Sequence, residues 1–268
     1  MTDQPPNSQD TVTVEFTVAV GDGKFNATAV VPAGQTNLTQ ILPIIQSLDD
    51  ALIRGFSAQL AEAGTPVTCN AGCTHCCHQL VSLNIFEAEA LTTWIRSLPE
   101  ARQQHLADRF HQTLLKISAA GLIDRIVSED WFVESTTARQ LAVDYLYKRI
   151  PCPFLENDAC TIYPMRPLIC REYMVISPPE HCYDPLSLQT ENVRMPLYLS
   201  RTLHTIAANL EHDTRGWIPL IFLFGWMKAN AHPGECIAGD GPEVLYEFVK
   251  RIDRAKPHNP AAEPQPET

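Results

Sequence analysis

Four cysteines, Cys69, Cys73, Cys76 and Cys77, fall within nine residues of the run TCNAGCTHCCHQ. A second group, Cys152, Cys160 and Cys170, follows in PCPFLENDACTIYPMRPLICREY, and Cys182 comes soon after. Thiolates gathered at this density bind a soft metal or form disulfides. The two-residue gap between Cys73 and Cys76 lets both sulfurs reach one metal, as in zinc knuckles and iron–sulfur loops. Cys69 lies four residues before Cys73, so on a helical turn the two share a face, and Cys69, Cys73 and Cys76 form a tripod. Cys77 is rotated about 100° from Cys76 on a helix. It serves more easily a second centre, or acts as a redox-active or structural thiol. The tripod needs a fourth ligand from elsewhere, and Cys152, Cys160, Cys170 and Cys182 are the candidates. Pro151, Pro153, Pro164 and Pro167 hold the second group extended and bar continuous helix. The spacing therefore predicts an irregular ligand loop, with sulfur positions set without secondary structure.

The first ten residues, MTDQPPNSQD, show neither a basic n-region nor an apolar h-region. A secretory signal is not expected, and the predicted compartment is a reducing cytoplasm, where disulfides are rare. Nine cysteines, an odd number, then read as metal ligands. Eight candidate thiols make two four-thiolate zinc sites or one cubane with spare thiols. Softness alone admits zinc, iron–sulfur or copper(I). The adjacent pair Cys76-Cys77 and the proline-framed second group favour an iron–sulfur cluster, [4Fe-4S], over zinc. Arg166 and Arg171 bracket Cys170 and are the candidates to offset the thiolate charge and donate hydrogen bonds to sulfur. Lys148 and Arg149 read as ordinary salt-bridge partners. Among histidines, His75 and His78 are the candidate imidazole ligands. His181 and His232 read as surface or packing residues, and Cys236 as a structural or free thiol.

These groups need a scaffold. The chain has 268 residues, 45% of them hydrophobic, enough for one large or two small domains with a real core. A net charge of -11 repels phosphate backbones and argues against nucleic-acid binding. The longest apolar run, Trp217 to Met227, is too short for a membrane span, which needs about 20 residues, and is expected as a buried core helix. In TVTVEFTVAV, Val12, Val14, Phe16, Val18 and Val20 alternate with polar residues. GDGK then turns and FNATAVVP returns, which predicts a β-hairpin over 11–33 that packs on the helical body or on another chain. From Asn37 the period becomes helical, through Ile41, Ile44, Ile45, Leu48, Leu52 and Phe56. Asn84 with Glu87 forms a capping-box pattern. Further helical patterns fall at 100–118, 133–150, 194–213, 216–230 and 242–255. Residues 1–10 and the proline-rich tail 256–268 are expected to be disordered. No strand–helix alternation is seen. The fold expected is mainly α: an irregular cysteine-cluster metal site at about 65–185 within a helical body spanning 37–255, with an N-terminal β-hairpin.

The cysteine pattern resembles the CxxCxxCC, or YkgJ-like, family of zinc- or iron-chelating proteins. The resemblance rests on Cys69-Asn-Ala-Gly-Cys73-Thr-His-Cys76-Cys77 followed by a helix-opening Glu87, on Cys152-Pro-Phe-Leu, and on Cys160-Thr-Ile-Tyr163-Pro-Met-Arg166-Pro167-Leu-Ile-Cys170-Arg171. It implies a cysteine-bound metal centre and assigns no reaction. One branch, the flagellin lysine N-methylases, carries a similar pattern, so S-adenosylmethionine-dependent methylation of protein lysines is the enzymatic alternative. A glycine-rich GxGxxG loop is lacking, which weakens an ordinary methyltransferase fold. Cys69-x3-Cys73-x2-Cys76 also has radical S-adenosylmethionine spacing, but no β/α barrel repeat accompanies it, and His75 stands where an aromatic residue is usual. The third possibility is a structural zinc module that presents the hairpin to a protein partner. No serine–histidine–acid arrangement is present, and Glu129-Asp130 read as a solvated face.

Overall fold

Thr11–Val20 (β1) and Gly23–Pro32 (β2) pair antiparallel from Thr11↔Pro32 to Val20↔Gly23 in a computed structural model that describes residues 10–128, 135–211, 217–229 and 237–252. The two-residue turn puts Gly21 at φ +57°, a left-handed conformation that glycine takes without strain. Val18, Ala29 and Val31 from the hairpin are buried with Leu38, Ile41, Ile45, Leu48, Val244, Leu245 and Phe248. The hairpin is thus covered by two helices of its own chain, α1 (Leu42–Glu62) and α9 (Gly241–Ile252).

The contact with α9 is close. A Cβ added at Gly241 would stand 2.0 Å from the Pro32 carbonyl oxygen, which is backbone and cannot swing away. Gly241→Ala is therefore expected to cost about 1–3 kcal/mol through forced backbone displacement. Urea unfolding of the metal-free chain measures it, and an unchanged midpoint would mean that the helix slides freely over the hairpin.

Asn37 does not cap α1 itself. It ends β3 (Gln35–Asn37), and its Oδ1 accepts the Gln40 N–H at 2.9 Å. A turn follows, and the helix begins at Leu42, with Pro43 where its missing N–H is not needed. The capping box is present: Asn84 Oδ1 accepts the Glu87 N–H at 3.0 Å and opens α2 (Ile85–Ser97). Then come α3 (Glu100–Ala119), the short α4 (Ile123–Val127) and α5 (Ser135–Tyr147). The pattern over 194–213 yields a helix only from Leu199 to Glu211, α7. Upstream of it the backbone is irregular, with Val193 and Met195 buried beside Met174.

The apolar run at 217–227 is not one helix. Ile218–Pro219 (β7) pairs with Ser82–Leu83 (β4), Leu220–Phe222 make a 3-10 turn, and α8 (Leu223–Ala229) follows. Pro219 has no N–H to give and fits the end of a strand better than a helix interior. Among the described residues, no helix is long and apolar enough to cross a membrane. Ala238–Asp240 (β8) pairs with β3 and draws the end of the chain toward the hairpin. The architecture is mainly α, as expected. The two predicted disordered ends, apart from Asp10, lie outside the described residues, as do Glu129-Asp130, His232 and Cys236.

Candidate metal centre

The first cysteine group enters the site as extended chain. Cys69 Sγ accepts the Val175 N–H at 3.3 Å, and the Thr68 N–H donates to the Val175 carbonyl at 3.0 Å. Gly72, at φ +93°, turns the backbone toward Cys73. His75–His78 then form one 3-10 turn, which carries Cys76 and Cys77. Successive side chains in such a turn are about 120° apart. The two sulfurs leave the backbone in different directions, as expected, yet remain in hydrogen-bond contact with each other.

The second group is more regular than its prolines suggested. Leu155–Glu156 (β5) and Ala159–Cys160 (β6) make a tight hairpin, with Asn157 and Asp158 both at positive φ. The pair Asn-Asp tolerates that conformation better than other non-glycine residues. Tyr163–Met165 form a 3-10 turn and Leu168–Glu172 a short helix, α6, which carries Cys170. The expected irregular ligand loop is corrected to these four small elements. Pro164 and Pro167 open the turn and α6 and do not abolish them, because they occupy first-turn or N-capping positions. Charge pins the hairpin in place. Glu156 takes the Arg102 guanidinium at 2.6 Å, and Arg109 donates to the Pro153 carbonyl at 2.7 Å.

The folded chain brings the groups together. The Cys152 N–H donates to the Cys77 carbonyl at 2.7 Å. Cys73, Cys76, Cys77, Cys152, Cys160 and Cys170 line one cavity of about 240 Å³, with Arg166 among its walls. Cys69 and Cys182 are not among those walls. Cys182 is buried in the 3-10 turn Pro179–Tyr183, which packs on the His75–His78 turn. His75 meets the Tyr183 ring edge-on at 6.4 Å, and neither His75, His78 nor His181 lines the cavity. All eight described cysteines are free thiols.

Their electrostatics follow from crowding. Burial pushes Cys152 up to about 12, and the neighbouring Cys160 and Cys76 add to the rise. Burial raises Cys170 well above the usual thiol value, and Cys152 and Cys76 reinforce it. Cys182 rises to about 11, first from burial and then from Cys69, Cys76 and Cys73. Cys76 moves the other way, to about 7, because Cys77 donates to it and Arg166 stands nearby. A cation held by these thiols would outweigh their mutual repulsion and favour their thiolate forms.

As the side chains stand, no three His, Cys, Asp or Glu groups among the described residues converge tightly enough to hold an ion. The donor set nonetheless fits a soft metal or cluster: six thiols share one cavity. Arg166 supplies an independent sign. Its Nε is buried without a hydrogen-bond partner, and its guanidinium lies over the Tyr163 ring at 4.3 Å. A dry unpaired donor beside sulfurs is completed by a thiolate or sulfide acceptor. Arg171 is placed differently. It is 5% exposed and binds both oxygens of Asp50 at 2.8 Å together with the Arg166 and Pro164 carbonyls, so it holds the loop's shape.

Three residues with a role here were not singled out for it in the sequence. Arg109 clamps the second hairpin. Tyr173 hydrogen-bonds Gln79 and lies near Cys182, Cys76 and Cys69. Glu87, read in the sequence as the residue that opens and caps α2, also accepts the Leu168 N–H at 2.7 Å and ties α2 to the cysteine-bearing α6.

Residues 68–184 match the family model CxxCxxCC, described as a "putative zinc- or iron-chelating domain". The matched span holds all eight described cysteines and begins one residue before Cys69, which bears out the resemblance read from the sequence. No curated protein and no solved structure matches the chain.

Proposed function

We propose that this CxxCxxCC domain holds an iron–sulfur cluster of the [4Fe-4S] type. The observation that carries the reading is the cavity. Six thiols border about 240 Å³, whereas a tetrathiolate zinc site closes on a single ion with sulfurs about 2.3 Å away. A cluster brings inorganic sulfides that fill such a space and accept from the unpaired Arg166 Nε. The chain's own residues supply thiols, a cation beside them, and apolar side chains from Val81, Ile162 and Leu220 in the wall. Both cysteine groups must meet at the metal, so binding joins segments far apart in sequence and contributes to folding.

Anaerobic purification followed by absorbance, iron and acid-labile sulfide determination tests this reading. Broad visible absorbance with sulfide matching iron is expected. Colourless protein with stoichiometric zinc would remove the iron–sulfur reading and leave a structural zinc domain.

One observation favours an enzymatic role beyond storage of the metal. A cleft of about 840 Å³ lies along α6 and α7, lined by Tyr173, Tyr198, Arg201, His204 and Trp217 among others. That volume suits a nucleoside-sized ligand. α6 carries Cys170 into the thiol cavity and Ile169 and Glu172 to the cleft. S-adenosylmethionine-dependent modification of a protein lysine is the reading this supports. Calorimetry with S-adenosylmethionine and metal-loaded protein tests it, and absence of heat would withdraw it.

A further inference from the structure

The eight thiols do not form one undivided set. Cys76 stands at the middle and neighbours both of the sets that the fold separates.

The first set is tied to the segment around Val175. Cys69 Sγ accepts from Val175, and the Thr68 hydroxyl donates to the Val175 and Ser177 carbonyls at 3.2 and 2.5 Å. This segment runs directly into the turn that holds Cys182, and that turn packs on the one holding Cys76. Cys69 packs against the small core of Met174, Val193 and Met195. Cys69 and Cys182 are thus both held on the Val175 side of the turn that carries Cys76.

The second set rests on different structure. Cys152 and Cys160 pack against the core of Leu83, Leu91, Phe154, Ile162 and Leu220. The Cys152 N–H binds the Cys77 carbonyl. Cys77, Cys152, Cys160 and Cys170 line the cavity together with Cys73 and Cys76, whereas Cys69 and Cys182 lie outside it.

Spacing decides where Cys76 belongs. Its gap from Cys73 is the one that puts two sulfurs on one ion. Cys77 leaves the 3-10 turn about 120° away, on the side that Cys152 joins. We infer that the chain has two metal centres: a cavity centre held by Cys77, Cys152, Cys160 and Cys170, and a second site of Cys69, Cys73, Cys76 and Cys182 for a single soft divalent cation in tetrahedral thiolate coordination. The inference deepens the cluster reading above and rests on it for the nature of the cavity centre alone.

The sequence pattern changes meaning accordingly. The tripod Cys69, Cys73, Cys76 is completed by Cys182, about a hundred residues downstream, and the adjacent Cys77 crosses to the other group. The consecutive cysteines therefore place two centres side by side. Binding the cation displaces its ligands' thiol protons to solvent, and no electron transfer is involved.

The test compares metal content across single variants of the full chain, purified anaerobically and checked for helix content by circular dichroism. Iron, sulfide and zinc are counted per chain, and Co²⁺ uptake is followed by its thiolate charge-transfer absorption. Cys69→Ser and Cys182→Ser are each expected to lose one Zn²⁺ or Co²⁺ site and keep the iron, sulfide and visible absorbance. Cys152→Ser and Cys170→Ser are expected to lose the sulfide-bearing centre and keep one cation. Cys69 is only half-buried, so its serine variant reports even where Cys182→Ser does not fold. If all four variants lose the same metal, the chain has one centre and the division is wrong. Two zinc ions per chain with no sulfide would overturn the iron–sulfur reading and keep the two centres. A wild-type chain that takes up no metal would overturn both.

Discussion

Glu87→Ala is expected to lower the stability of the metal-free chain by about 3–6 kcal/mol, a large share of what an ordinary domain possesses. Glu87 is 2% exposed, and both its oxygens are in use. Oε2 accepts from the Asn84 side-chain amide at 2.8 Å and its backbone N–H at 3.3 Å. Oε1 accepts from the Leu168 N–H at 2.7 Å. Truncation leaves three donors dry and unpaired, each costing about 1–3 kcal/mol, although the first turn of α2 can fray and recover part of this. Glu87→Gln keeps an acceptor but turns an NH₂ toward one of these donors, so about half the loss is expected. Urea midpoints of the three chains test the ranking. A metal titration adds a second readout, because the Leu168 bond sits two residues before Cys170. The alanine variant should bind more weakly than the glutamine variant. An alanine chain as stable as the wild type would show that α6 is anchored by its apolar contacts alone.

Glu87 also shows what is legible in the sequence and what is not. The capping box is local, a matter of three residues, and the pattern Asn84-x-x-Glu87 suffices to place it. The same holds for the hairpin, whose alternation marks which face is buried. The bond from Glu87 to Leu168 spans 81 residues and follows no local rule. The run at Trp217–Met227 departs from the expected helix for a related reason. A short apolar stretch fits a buried strand and a buried helix equally, and β4, more than a hundred residues upstream, takes Ile218 and Pro219 into a strand pair. Arg166 and Arg171 are indistinguishable by position. Asp50 on α1 separates them by taking Arg171 into an ion pair, while Arg166 stays beside the thiols.

Asp49→Asn should stabilise the metal-free chain at pH 8 and leave it nearly unchanged at pH 5. Asp49 has no exposed surface, and neither of its oxygens has a hydrogen-bond partner. Burial pushes its carboxyl up to about 8. Glu172, Asp50 and Glu87 push in the same direction, and Arg171 opposes them. Glu87 and Glu172 are themselves raised to about 7, chiefly by burial. The sign follows from proton counting. Between pH about 4 and 8 the folded chain keeps a proton on Asp49 that the unfolded chain has released. Stability is therefore greatest below the unfolded value and declines until the folded value is passed. An amide mimics the protonated acid and has nothing to titrate, so it removes this decline. Each tenfold difference in proton affinity between the folded and unfolded chains is worth about 1.4 kcal/mol. Shared protonation with Glu172 reduces the sum, and a gain of about 2–4 kcal/mol at pH 8 is expected. The amide's NH₂, buried without an acceptor, takes back part of the gain at every pH. Thiols such as Cys76 titrate in the same range, so the comparison is the difference between the two chains at each pH, from urea unfolding without metal. Parallel stability curves for Asp49→Asn and wild type across pH 5 to 8 would show that Asp49 is ionised or solvated in the folded chain.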